Sequence, residues 1–210
     1  HVFGRARFIA KFGLRYYLFP GYDLSLIHTR RTLFDDPNLY SLMEKFIAPS
    51  AIVVDVGANV GLFTLFAARC AASGHIYAFE PEKTNIEHLR QNLKFARCEN
   101  ATIEPYALSN YTGTAVLNVF STNRVLNSFG RPIIQTSEKV YESDATQEVP
   151  VTTLDSFAET HNLSHIDLLK IDVEGAEPRV LAGCEQLLRH RKIKHIIFEI
   201  SQTPLHALGY

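Results

Sequence analysis

Three acids crowd one short stretch of the chain, Lys170-Ile171-Asp172-Val173-Glu174-Gly175-Ala176-Glu177. Carboxylates packed so closely raise one another's proton affinity, and one of them can then serve as a general base. Asp172 closes an apolar run and has no helix to serve, so it reads as the functional acid at a reaction centre. Glu174 should face the same opening and reads as the base or as a contact to an incoming acceptor. Glu199, near the end of a later apolar run, can approach from the other side. Glu177 divides evenly between a site residue and an acid that opens a helix, where the macrodipole favours it by about 0.3–1 kcal/mol.

A second pattern is Val53-Val54-Asp55-Val56-Gly57-Ala58-Asn59-Val60-Gly61. A buried strand runs into a glycine turn and a helix follows at once. Gly57 allows the turn without a Cβ conflict, and Gly61 allows helix and strand to approach. A dinucleotide fingerprint would have glycine where Asn59 stands, so that backbone could reach a pyrophosphate. Asn59 therefore points to a nucleoside ligand without phosphate, such as S-adenosylmethionine. A third pattern is Phe79-Glu80-Pro81. Glu80 follows Gly57 by 23 residues, near the spacing of about 20 at which an acid holds ribose hydroxyls in such folds. The plainer alternative makes Glu80 an acid at a helix start.

These residues need a scaffold that brings them to one edge. Five β-rich apolar runs recur, at residues 51–56, 75–80, 102–107, 166–172 and 195–201. Runs of Val, Ile, Leu and Phe this continuous belong to parallel strands covered on both faces. Helical patterns at 60–72, 82–96 and 176–189 lie between them, a shorter one at 153–161 is capped by Thr152 or Thr153, and one at 32–48 precedes the sheet. The alternation predicts a doubly wound, mostly parallel α/β sheet in the order 3-2-1-4-5, with ligands at the strand carboxyl ends. Residues 110–150, rich in Ser, Thr, Asn and Gly, break the rhythm. They read as an excursion over that edge, a hairpin plus a loop.

Composition bounds the function from outside. With 210 residues, 46% hydrophobic and 20% charged, the chain is long enough for one sizeable core. We divide it into an N-terminal helical, basic segment and cap (1–49) and a ligand-binding domain (50–210). A net charge of −1 provides no general attraction to nucleic acid. The first 31 residues are basic and aromatic (Arg5, Arg7, Lys11, Arg15, Arg30 and Arg31 against Asp23). They read as a solvated helix packed on the body, with contact to an anionic membrane surface as the sharper alternative. No apolar run is long enough to cross a bilayer. Cys70, Cys98 and Cys184 are too few and too scattered for a disulfide framework, which suits a reducing, cytoplasmic setting. His161 and His165 stand four apart but lack a third ligand nearby, so no metal site is expected.

The set Asp55–Gly61, Phe79-Glu80-Pro81, Ala107-Leu108-Ser109, Thr153-Leu154-Asp155 and Lys170–Glu177, with Phe198-Glu199-Ile200 as a closing strand, resembles the FkbM family of methyltransferases over about residues 50–201. The resemblance implies a Rossmann-like methyltransferase sheet flanked by helices, S-adenosyl-L-methionine as cofactor, and methyl transfer to a hydroxyl of a sugar, glycolipid or natural-product-like small molecule. It implies that Asp55 meets the methionine amino group, with Gly57, Ala58, Asn59 and Gly61 around it. Glu80 and Pro81 then lie at the ribose, Ala107 and Leu108 near the adenine, and Asp172 at the methionine end. Such sheets usually end in an antiparallel hairpin, and with Tyr210 so soon after the fifth run the expectation is a sheet without those terminal strands or with another part of the chain over that edge. A non-catalytic module that keeps the cofactor site is the second reading. A nucleotide-dependent oxidoreductase is the third, disfavoured by Asn59.

Overall fold

The computed structural model describes residues 7–11, 14–18, 37–121, 124–129, 133–135 and 140–198. The chain opens with an antiparallel pair, β1 (Arg7–Lys11) and β2 (Leu14–Leu18). This corrects the helix expected in the basic head. Phe8, Ile9, Tyr16 and Tyr17 favour extended backbone, and the short connection lets the two strands pair at once. Arg5, Asp23, Arg30 and Arg31 lie outside the described residues. Helix α1 (Pro37–Phe46) follows. Among the described residues no helix is long and apolar enough to cross a membrane.

The body is a five-stranded parallel sheet. It contains β3 (Ile52–Val56), β4 (His75–Phe79), β5 (Ala101–Glu104), β12 (Ile166–Ile171) and β13 (Ile193–Phe198), in the spatial order β13-β12-β3-β4-β5. This is the expected doubly wound order read from the other edge, with β3 at the switch point. Helices α2 (Leu62–Cys70) and α3 (Lys83–Ala96) form the crossovers between β3 and β4 and between β4 and β5. The two faces bury separate cores. Val53, Ile76, Ala78 and Leu168 pack with Phe63, Phe66 and Leu89 on one side. Val54, Val56, Leu169 and Ile171 pack with Phe79, Leu154, Phe157 and Val180 on the other. Each Val, Leu, Ile or Phe side chain among them contributes about 1.5–3 kcal/mol when fully buried.

The third apolar run does not continue as one strand. β5 stops at Glu104, and after Pro105 the chain forms β6 (Ala107–Leu108) in a different sheet. That sheet has the order β6-β11-β7-β8. It joins β7 (Gly113–Val119) to β8 (Ser128–Phe129) and to β11 (Ala145–Thr152), with a one-turn 3-10 helix at Arg124–Leu126. A small pair, β9 (Ile133–Gln135) and β10 (Val140–Glu142), lies within the same excursion. The excursion is therefore mainly sheet, built on the long β7–β11 antiparallel pairing.

Helix α4 (Leu154–Thr160) is capped by Thr153, whose hydroxyl accepts from the Ser156 N–H at 3.0 Å. The helix expected over 176–189 is two, α5 (Glu177–Ala182) and α6 (Glu185–Arg189). The break falls at Gly183, where a Cβ would stand 1.9 Å from the Ser109 carbonyl oxygen. The loop after β6 presses there, and a continuous helix has no room for it. Asp155 then accepts from the Gln186 and Leu187 N–H groups at the start of α6.

Candidate functional site

At the end of β3, Gly57 (φ 77), Asn59 (φ 52) and Gly61 (φ 90) all take left-handed backbone. The resulting turn is satisfied from within. The Gly57 and Ala58 N–H groups both donate to the Phe79 carbonyl, at 3.0 and 2.9 Å, and Gly61 donates to the Ala58 carbonyl at 2.8 Å. Asn59 N–H donates to Glu80 Oε2 at 2.8 Å, and Val60 N–H to Asn59 Oδ1 at 2.8 Å. From below, Asn92 of α3 donates its side-chain amide to the Val60 carbonyl at 2.8 Å. The close approach at Gly61 is to Leu89 of α3, whose Cδ1 would lie 2.3 Å from a Cβ there. The left-handed φ of 90, together with this contact to a neighbouring helix rather than to a strand, favours glycine there.

The sequence reading missed Lys170. Its side chain is 2% exposed, one residue before the end of β12. Nζ pairs with Asp55 Oδ1 at 3.1 Å and Asp172 Oδ2 at 3.4 Å, and donates to the Gly57 carbonyl at 3.0 Å. Burial works against its charge, yet Asp55 and Asp172 together hold its proton more firmly than an ordinary lysine would. A lysine following the apolar pair Leu168-Leu169 in a strand was the available signal, since such a charge is buried only when paired. Asp55 is fully buried and also accepts from the Thr64 hydroxyl at 2.6 Å. Its contacts are thus Lys170 and Thr64, beneath the turn. Asp172 keeps 19% of its side chain exposed, at the carboxyl end of β12.

Glu80 is enclosed rather than open to solvent. It is 5% exposed. Oε1 accepts from the Glu82 N–H at 3.0 Å and the Asn85 amide at 3.2 Å, while Oε2 accepts from Asn59. Burial pushes its pKa up to about 7, against the pull of those N–H groups. The helix-start role belongs to Glu82, which caps α3 by accepting from Thr84 and Asn85 N–H and pairs with Arg124 at 3.3 Å. The Pro81 carbonyl accepts from the Gln147 amide at 3.0 Å, and Gln147 Oε1 accepts from the Lys83 N–H at 3.2 Å. Arg124 and Gln147 therefore dock the excursion on the loop that carries Glu80.

The loop after β12 leans on the glycine turn. A Cβ at Gly57 would lie 1.9 Å from the Asp172 carbonyl oxygen and 3.3 Å from Val173 Cγ1. Glu174 (φ 52) and Gly175 (φ 103) take left-handed backbone. Glu177 opens α5, and its Oε1 accepts from the Val173 and Gly175 N–H groups, both at 3.1 Å. The structure thus brings Asp55, the 57–61 turn, Glu80, Asp172 and Glu174 to one end of the sheet. Ala107 and Leu108 are buried, Leu108 in the core beside Val54 and Phe79. Glu104 at the end of β5 is a further acid at that edge, its pKa raised by burial. Glu199 lies outside the described residues. His161 stacks on Phe157 at 3.9 Å and His165 pairs with Asp167 at 3.3 Å, so the two serve different neighbours.

Comparison with known proteins matches residues 55–208 to the methyltransferase FkbM domain. "Methyltransferase 1" of Beauveria bassiana is 27% identical over 150 residues, which cover 64% of this chain and 59% of that protein. The 31-O-demethyl-FK506 methyltransferase FkbM of Streptomyces tacrolimicus is 27% identical over 184 residues, 78% of this chain and 70% of that one. The hexuronic acid methyltransferase AglP of Haloferax volcanii is 24% identical over 151 residues, 71% of this chain and 55% of that one. The chain thus spans little more than half the length of two of these three relatives. With the matched domain covering the glycine turn, Glu80 and the whole acid-rich stretch after β12, the chain belongs to the FkbM family of methyltransferases.

Proposed function

We propose that the protein is an S-adenosylmethionine-dependent O-methyltransferase acting on a hydroxyl of a sugar or natural-product-like small molecule. The observation that carries this reading is the saturation of the turn. Every N–H from Gly57 to Gly61 already has an acceptor within the protein. A pyrophosphate held at such a turn needs those donors. The neighbouring groups are acceptors and acids: Asp172 and Glu174 suit a ligand that is cationic at its reactive end, and Glu80 suits a ribose hydroxyl. The residues present thus fit a nucleoside sulfonium and do not fit a dinucleotide.

When bound, S-adenosylmethionine supplies an electrophilic methyl group. The chain's own residues position and deprotonate. Lys170, held between Asp55 and Asp172, fixes the carbonyl of Gly57 and the acid at the end of β12. Asp55 therefore acts through Lys170, beneath the ligand. Glu80 has two donors on Oε1 and one on Oε2, which leaves Oε2 room for a single ribose hydroxyl. Glu174 takes the acceptor's hydroxyl proton. The excursion, docked through Arg124 and Gln147, covers the side from which the acceptor arrives. Two relatives, named for 31-O-demethyl-FK506 and for hexuronic acid, favour an oxygen acceptor on a small molecule.

Calorimetry with S-adenosylhomocysteine and with NAD tests the ligand class. Binding of the first and not the second is expected, and the reverse pattern overturns the proposal. With a panel of hydroxylated sugars and an isotopically labelled methyl donor, Glu174→Gln should keep S-adenosylhomocysteine affinity and lower turnover by about 10²–10⁴-fold. Turnover near that of the wild type removes Glu174 as the base.

A further inference from the structure

Glu177 divides its carboxylate in an unusual way. It is 5% exposed. Oε1 accepts two backbone N–H groups, from Val173 and from Gly175, at 3.1 Å each. Oε2 is buried and has no hydrogen-bond partner among the described residues. A helix-opening acid turns its charge to the helix's own first N–H groups, but these bonds run back into the preceding loop. Between the two bonded residues stands Glu174 at φ 52, a left-handed conformation that residues with a Cβ adopt only at a cost. Gly175 at φ 103 completes the bend. Val173 is also the residue that packs against Gly57. One oxygen therefore ties together the loop that presents Glu174 and the contact that roofs the glycine turn.

We infer that Glu177 is a positioning residue. Its reach, not its charge, holds the 172–175 loop in the left-handed bend that meets the cofactor and aims Glu174. The inference rests on the cofactor site proposed above. None of the described groups offers Oε2 a cation, so charge can act only by strengthening the two N–H bonds on Oε1. A role for reach requires an acceptor atom at the Glu177 Oε1 position, which a glutamine carbonyl supplies and a shorter aspartate does not.

Two conservative variants separate these roles. Glu177→Gln keeps the reach and removes the charge, whereas Glu177→Asp keeps the charge and shortens the reach. Amide hydrogen exchange in the ligand-free protein reads the bend, and S-adenosylhomocysteine calorimetry reads its consequence. In Glu177→Gln, protection at Val173 and Gly175 and affinity within about twofold of wild type are expected. In Glu177→Asp, both amides should lose protection and affinity should fall by about tenfold or more, the equivalent of roughly one lost hydrogen bond. Equal losses of affinity in both variants show that reach alone does not set the effect, a loss confined to Glu177→Gln assigns it to charge, and either result overturns the inference. So does unchanged affinity in Glu177→Asp once its amides have lost protection. Should the aspartate variant not fold, loss of protection or of affinity in Glu177→Gln alone is sufficient to overturn it. A wild type that does not bind S-adenosylhomocysteine overturns the cofactor reading, while the exchange data still report on the bend.

Discussion

Two loops at the carboxyl edge solve the same problem by different means. The turn after β3 and the loop after β12 each hold a non-glycine residue in left-handed backbone, Asn59 and Glu174, both at φ 52, and each follows it with a left-handed glycine. In each, a glutamate accepts backbone N–H groups to secure the bend. The difference is where that glutamate comes from. Glu80 reaches the first turn from the end of the neighbouring strand, 21 residues away, and welds two crossovers together. Glu177 lies two and four residues from its donors and braces its own loop. The first bend therefore depends on the sheet being assembled, whereas the second is a local unit that the sheet carries.

The most damaging way to break this arrangement is to force the loops apart. Gly57→Val places a branched side chain at φ 77 and drives its Cβ against the Asp172 carbonyl. We expect a loss beyond the roughly 4–5 kcal/mol that marks an exceptional single substitution, seen as failure to recover folded protein. A denaturation midpoint near that of the wild type shows that the two loops do not abut. Next comes the cation beneath both. Lys170→Met removes the partner of Asp55 and Asp172, and breaking a buried ion pair costs about 3–5 kcal/mol. A cost below about 1 kcal/mol in urea titration refutes the buried pairing.

Glu80 sharpens the comparison through pH. Its pKa in the folded protein, about 7, lies above the ordinary 4.5. The native state thus keeps a proton that the unfolded chain releases, and stability falls as pH rises from about 4.5 to about 7, by up to about 3 kcal/mol. In Glu80→Gln that component of the fall should vanish. Parallel curves for variant and wild type across this window reject a titrating brace. The smallest effect belongs to the excursion. Gln147→Ala removes two hydrogen bonds near the surface and should cost about 1–2 kcal/mol, with faster amide exchange in β7 and β11 and an intact glycine turn. Slower or equal exchange there locates the docking elsewhere.

The parallel sheet was legible because strands such as Ile52–Val56 and Ile166–Ile171 are covered on both faces and must be apolar almost throughout. The glycine turn was legible because its backbone angles restrict residue type. The small sheet was not. Its β6 is two residues long and continues an apolar run that began in β5, so only the partnership of Ala107 with Val151 across the fold separates them. The helix break at Gly183 depends on a loop seventy-odd residues earlier in the chain, and no local pattern carries that. Within the site the acids were visible as types, but their partners were not. Which oxygen of Glu80 holds Asn59, or that Lys170 lies under Gly57, follows from register between strands distant in sequence.

The docking of the excursion has a consequence for how the protein can change. Gln147 binds the carbonyl of Pro81 and the N–H of Lys83, both of them main-chain groups. An attachment made to backbone is indifferent to the side chains it passes. Substitution at Lys83 by any residue but proline leaves the joint whole, whereas Gln147 must provide a donor and an acceptor together, which among the side chains of its length only an amide does. Variation at Lys83 is therefore tolerated around a fixed mount, while Glu80 and Glu82 keep their side-chain roles, and new surfaces can be carried on β7 and β11 without disturbing the Gln147 joint.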